Sequence, residues 1–186
     1  RRVLFRSGVL PKRTRQLAAR ALDILAEESD RSSANHTVMV HVLMDELMEA
    51  LAPWRARVRF TNLRAPMRPV GEPRVFVPAD VAHGLTQAVT EAVSNSARHS
   101  GSEYTTVSME GELCPASGTN PEGFFLRFTI SDDGRGFNYY DVPNRRLGVR
   151  VSIVENLESI GGRVSLDTAP GRGTRVTLVW PKDVTA

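Results

Sequence analysis

The chain has 186 residues, of which 41% are hydrophobic and 24% charged. That composition fits one globular domain with a short appendage and excludes wholesale disorder. No apolar run approaches the roughly 20 residues that a bilayer-spanning helix needs, and no secretory leader pattern stands at the start. The net charge of +3 is unevenly placed, because the first 20 residues hold seven basic side chains and no acid, leaving −4 on the rest. A nucleic-acid arm, a segment beside an anionic membrane and a solvated helix face all fit such a leader. Cys114 is the single cysteine, so no internal disulfide can form and a reducing, cytoplasmic setting is expected. The chain opens on Arg1 and is expected to be a piece of a longer protein.

In chain order, Leu17, Ala18, Ala21, Leu22 and Leu25 recur at helical spacing, and the polar stretch Asp30–Asn35 interrupts them. A second amphipathic run follows, with Val38, Val42, Leu43, Leu47 and Leu51 forming a stripe that ends before Pro53. The two predict a helical hairpin over residues 1–54, with a second domain from 55 to 186. Residues 57–62 read as a strand, the prolines and glycine of 66–73 as a loop, and 74–77 as another short strand. Pro78-Ala79-Asp80 opens a long helix reaching about Ser100. Strands at 104–110 and 124–131, a helix over 149–160 stopped by Gly161-Gly162, and strands at 163–167 and 174–180 complete the chain. Strand pairs dominate this order, which predicts a two-layer α/β sandwich with a mixed, mainly antiparallel sheet.

Three groups of residues suggest chemistry. On the long helix Gln87, Glu91, Asn95 and His99 stand four apart, so successive members are neighbours on one face, and Arg98 joins the same edge. An amide oxygen suits a hard cation, a carboxylate can take a proton, and the basic pair can meet phosphate oxygens. A solvated polar face would show the same series. Next, Asp132-Asp133-Gly134-Arg135-Gly136 follows a strand. Its glycines allow close backbone approach, and Asp132 could accept a hydrogen bond from an exocyclic amine, although a plain Asp-Gly turn reads alike. The third group is Gly148 at a helix start, where free N–H groups favour phosphate, with Gly171, Gly173 and Thr174 leading into the last strand. No GxxxxGK[ST] occurs, which excludes a P-loop.

E-x-x-x-N-x-x-R-H on a helix, D-x-G-x-G after a later strand, a helix-opening glycine and a final G-x-G-T together resemble the GHKL (Bergerat-fold) ATP-binding family. The likeness spans about residues 55–181 and is nearest to the catalytic domain of two-component sensor histidine kinases. It implies ATP and Mg²⁺ as cofactors. Asn95 would hold the magnesium, and Glu91 would stand beside the reacting phosphate as base or water-holder. Arg98 and His99 would contact phosphates or the lid. Asp132 would read the adenine amine, with Gly134 and Gly136 letting the backbone pass close to the base. Residues 138–147 would form the lid, Gly148 its phosphate-side end, and Gly173 and Thr174 would complete the adenine pocket.

The partners implied are a response-regulator receiver domain and a second copy through the N-terminal helices. No nucleic acid is expected, and a membrane enters only through a missing N-terminal part. The lid is short and has a single glycine at its end. The family's acceptor histidine, followed directly by an acid, is not found, since Thr37 follows His36 and His41 has its nearest following acid at Asp45. His41 and His83 read as structural. The leading expectation is a protein histidine kinase whose acceptor lies outside this chain. The alternatives are a serine kinase of the anti-sigma-factor type and a degenerate ATP-binding regulatory module.

Overall fold

The computed structural model describes residues 36–66, 74–115, 123–138, 154 and 156–182. The chain divides into two compact units, Arg1–His36 and Thr37–Ala186. The first expected helix, Gly148 and residues 139–147 of the expected lid lie outside the described residues, as do most residues of the expected helix 149–160.

The second unit begins with a three-residue strand, β1 (Thr37–Met39), and a helix, α1 (Val40–Ala50). The helical stripe was expected to start at Val38. Instead Val38 pairs antiparallel with Val77 of β3 (Phe76–Pro78). Three residues show no period of their own, so their partner decides the conformation. Val40, Leu43 and Leu47 of α1 are buried, with Leu51 just beyond, and a 3₁₀ turn at Ala52–Trp54 carries Pro53. These residues pack in the same core as the rest of the unit, so the expected boundary at 54/55 falls inside it. Their apolar stripe is covered by this chain's own side chains.

After β2 (Val58–Arg64) and β3, the helix α2 (Ala79–His99) runs 21 residues. Asp80 stands in its first turn and Arg98 and His99 in its last, the charge order a helix dipole favours. The Asp80 carboxylate also accepts the Val81 N–H at 2.8 Å. Val81, Leu85, Ala88, Val89, Ala92 and Val93 are buried, giving one apolar stripe toward the sheet. The remaining strands are β4 (Thr105–Leu113), β5 (Phe124–Asp132), β6 (Arg163–Thr168) and β7 (Thr174–Trp180).

These form a five-stranded sheet in the order β2-β4-β5-β7-β6. Only β2 and β4 run parallel, with α2 in the connection between them; the other pairs are antiparallel. Val107, Met109, Leu126, Phe128, Ile130 and Leu178 alternate along their strands and meet the helices. Burying each such side chain contributes about 1.5–3 kcal/mol. The result is the mixed two-layer α/β sandwich that the element order predicts. Leu157 is fully buried, and the Trp180 indole N–H donates to the Ile160 carbonyl at 2.9 Å. That bond ties the end of the helical turn at 156–159 to β7.

Candidate nucleotide site

The register of the sheet aligns three side chains. Asp132 at the end of β5 lies opposite Thr105 of β4 and opposite Thr174 of β7. Directly opposed residues of antiparallel strands share a face. Thr105 identifies which face, because its buried hydroxyl bonds to Ser96 of α2 at 2.7 Å. Asp132 and Thr174 therefore stand on the helix-bearing side of the sheet, level with the C-terminal part of α2. Ser96 immediately follows Asn95, so the amide singled out in the sequence lies one residue along α2 from this contact.

Around Asp132 the backbone is closely tied. Its Oδ1 accepts the Gly134 N–H at 3.0 Å, which holds the carboxylate in an Asx-type turn. The Arg135 N–H donates to the Ser100 carbonyl at 2.8 Å, and the Arg135 carbonyl accepts the Gly171 N–H at 2.7 Å. Arg135 Nε also donates to the His99 carbonyl at 2.7 Å. Thr168 Oγ1 receives the Phe137 N–H at 3.2 Å, donates to the Gly173 carbonyl at 3.0 Å and lies 3.2 Å from Thr174 Oγ1. The Ser102 hydroxyl bonds to Asp133, so the second acid of the pair is engaged on the protein.

The glycines of this loop sit against neighbouring backbone. Gly136 and Gly173 have φ of +53° and +70°. A Cβ at Gly136 would run into the Ala169 carbonyl, and one at Gly173 into the Asp132 carbonyl. At Gly134 it would meet the Ser100 backbone. What these glycines admit is neighbouring backbone, because the Asp132–Gly136 loop is packed between the end of α2 and the turn before β7.

Along α2 the picture is more open. Glu91 and Asn95 are half-buried, and Gln87, Arg98 and His99 are exposed. The side chains of Glu91 and Asn95 have no hydrogen-bond partner among the described residues. Glu91 also borders a cavity of about 450 Å³, together with His83, Thr86, Gln87, Thr90 and Asn156. Gln87 Nε2 donates to His83 Nε2 at 2.7 Å. Among the described residues the buried hydroxyls of Thr86 and Thr90 have no partner, a state that costs about 1–3 kcal/mol per group.

Several of these residues escaped the reading of the sequence. Ser96, Thr105 and Thr168 have no pattern in the chain, since each matters through a partner on another element. Thr86 and Thr90 flank the polar series at helical spacing and could have been noticed as hydroxyls on an otherwise apolar edge.

The site fits a magnesium-bound triphosphate by the chemistry of its donors. Asn95 and Glu91 offer hard oxygen one turn apart, as a cation that keeps water and phosphate ligands requires. Asp132 keeps Oδ2 for an amine after Oδ1 is engaged. Among the described residues no group of three or more His, Cys, Asp and Glu side chains could hold a metal by itself, so the phosphates would supply the remaining ligands.

Residues 80–184 match the model of the family described as histidine kinase-, DNA gyrase B-, and HSP90-like ATPase. The chain belongs to that family. Sensor protein VraS of Staphylococcus epidermidis is 29% identical over 119 residues, covering 63% of this chain and 31% of the relative. VraS of Staphylococcus aureus gives the same figures. The chain therefore matches about a third of the length of these curated relatives.

Among solved structures, the histidine kinase domain of a blue-light activated kinase from Erythrobacter litoralis superposes with a TM-score of 0.51 at 21% identity. That match covers 80% of this chain and 69% of the other. The mycobacterial sensor histidine kinase MprB gives 0.50 at 18% identity, covering 77% and 95%. At these identities the likeness shows the shared fold. Among the described residues no helix is long and apolar enough to cross a membrane.

Proposed function

We propose that this chain is the ATP-binding catalytic region of a sensor histidine kinase, passing the γ-phosphoryl group of Mg-ATP to a histidine outside the chain for relay to a response-regulator receiver domain. The observation that supports it is the row Thr105–Asp132–Thr174, which faces α2 beside Asn95. An acid there, with one oxygen engaged by Gly134 and one available, suits the exocyclic amine of adenine. Thr174 stands next to it for a direct or water-mediated contact with the ring.

From that anchor the phosphates would run along α2 toward its N-terminus. Asn95 would hold the magnesium through its amide oxygen, and when bound the ion neutralises charge on the phosphates. Glu91, one turn further, would accept a proton or orient the attacking group. Arg98, His99 and Gly148 are assigned to phosphate or lid contacts. Phosphoryl transfer depends mainly on positioning and charge neutralisation, and these residues supply both. The unit assigned this role is 37–186 rather than 55–186, because α1 belongs to its core. A homodimer through the N-terminal helices would then use residues before Thr37.

Incubation with radiolabelled ATP, with and without a receiver domain, tests the assignment. Acid-labile, base-stable label on protein is the expected result. Acid-stable label would instead favour a serine kinase, and Mg-ATP binding without any transfer would favour a regulatory module. Mg-ATP should also raise the melting temperature by binding linkage, and no shift at millimolar nucleotide would overturn the reading.

A further inference from the structure

The face of the sheet that carries Asp132 and Thr174 continues one strand further. Thr168 of β6 lies opposite Thr174 of β7, so the row runs Thr105, Asp132, Thr174, Thr168 across four strands. β6 is the outermost of them, which puts Thr168 two strand spacings, roughly 9–10 Å, from Asp132. At that distance its influence on a base held by Asp132 passes through Thr174.

A threonine hydroxyl has one proton to donate and two lone pairs that accept. At Thr168 all three are in use. The Phe137 N–H can only donate, and it meets Oγ1 at 3.2 Å. The Gly173 carbonyl can only accept, and it lies 3.0 Å away, so it takes the single proton. The third neighbour is Thr174 Oγ1 at 3.2 Å. With the Thr168 proton committed, this contact is a hydrogen bond only when Thr174 is the donor. Among the described residues no other side chain bonds the Thr174 hydroxyl. Its proton therefore turns to β6, and its lone pairs are left for the space beside Asp132.

We propose that Thr168 is a positioning residue for base selection: by taking the Thr174 proton it fixes that hydroxyl as an acceptor toward the ring, which admits 6-aminopurines and disfavours 6-oxopurines. This rests on the nucleotide reading above. Asp132 Oδ2 is an acceptor too, so both groups facing the ring edge seek hydrogen. A 6-aminopurine supplies it from its exocyclic nitrogen, and its bare N1 can accept from a bridging water whose other proton goes to Thr174. A 6-oxopurine reverses both atoms, with a carbonyl oxygen in place of the amine and an N–H at N1.

A hydroxyl free to rotate would turn donor and accommodate that oxygen. The clamp withholds this adjustment. Turning the Thr174 proton outward breaks its bond to Thr168, and turning the Thr168 proton instead breaks the bond to the Gly173 carbonyl. Polar groups left facing their own kind in a site that excludes water are costly, and such mismatches are a strong source of discrimination.

Titration calorimetry of the 186-residue chain with Mg-ATP and with Mg-ITP, which differ only at C6 and N1 of the base, provides the test. The wild-type chain should favour ATP. Thr168→Val should lower the ATP-to-ITP affinity ratio about tenfold, the size of one neutral hydrogen bond, and Thr168→Ser, which keeps the hydroxyl, should restore it. A merely structural loss would weaken both nucleotides alike and leave the ratio in place. Proton NMR of the unsubstituted chain reads the polarity even where Thr168→Val does not fold: the Thr174 hydroxyl proton should exchange slowly and show cross-relaxation to the Thr168 side chain. An unchanged ratio in Thr168→Val, no recovery in Thr168→Ser, or a freely exchanging Thr174 hydroxyl would each overturn the role of Thr168. Equal wild-type affinity for ATP and ITP would sink the selection while leaving the nucleotide site standing, whereas binding of neither would remove both.

Discussion

The two ends of α2 are built in opposite ways. At its C-terminal end, Ser96, His99 and Ser100 are bonded to Thr105 and to Arg135, and the loop after β5 is held further by Thr168 and the Gly171 turn. The Ser96 hydroxyl and the His99 and Ser100 carbonyls there each have a protein partner. In its middle, Glu91, Asn95, Thr86 and Thr90 have none among the described residues. A rigid, satisfied end can hold a flat ring at low entropic cost, whereas an unsatisfied stretch gains its bonds only when a ligand arrives. Under the proposed function, the contrast would separate a preorganised recognition end from a reactive end completed by its substrates.

The contrast can be broken from either side. Asn95→Ala should have the largest effect, removing most of the magnesium dependence of ATP binding while leaving the fold intact. Titration calorimetry with and without Mg²⁺ reads this, and an unchanged dependence would remove Asn95 from the metal. Asp132→Asn keeps an oxygen for the Gly134 N–H but can no longer offer a charged acceptor to the amine. A charged hydrogen bond contributes about 1.5–3 kcal/mol, so ATP affinity should fall by roughly ten- to a hundredfold, with GTP binding changed less.

Gly173→Ala tests the rigid end through stability. Backbone strain at positive φ costs of the order of 1–3 kcal/mol, and the clash with the Asp132 carbonyl adds to it. Urea denaturation should show that loss, and ATP affinity should fall with it. Arg135→Ala should be mildest, because it removes one exposed bond to the His99 carbonyl and leaves the backbone bonds in place. About 0.5–1.5 kcal/mol is expected, partly recovered by Arg135→Lys. A full-size loss of nucleotide binding on this change would mean that Arg135 touches the ligand.

How much of this was legible in the chain differs by element. The strand Thr174–Trp180 was read to the residue, because alternation begins at a glycine turn and stops at Pro181. The helix Ala79–His99 was read nearly as well, from Asp80 at its start and a long 3.6-residue period. Strand β1 was missed, since its pairing with β3 spans almost forty residues and leaves no local mark. That α1 shares the core of this unit was not legible for a related reason. An amphipathic stripe shows that a helix buries one face, but not against which partner, and α1 buries its face in this unit.

The site divides along the same line. The residues proposed for the chemistry, Glu91, Asn95 and Asp132, were visible because charge and amide groups at fixed spacing are rare on packing faces. Ser96, Thr105 and Thr168 were not, because a hydroxyl in a sequence is uninformative until its partner is known.

By itself, then, the sequence determined the element types, the mixed sheet and the polar edge of one helix, since periodicity and turn chemistry are local properties of the chain. Tertiary structure alone decided that Asp132 lies between two threonines facing that helix, that the loop glycines admit backbone, and that two hydroxyls beside a cavity find no partner among the described residues. Each of these depends on strand register and on contacts between residues distant in sequence, and no local pattern encodes which distant atoms will meet.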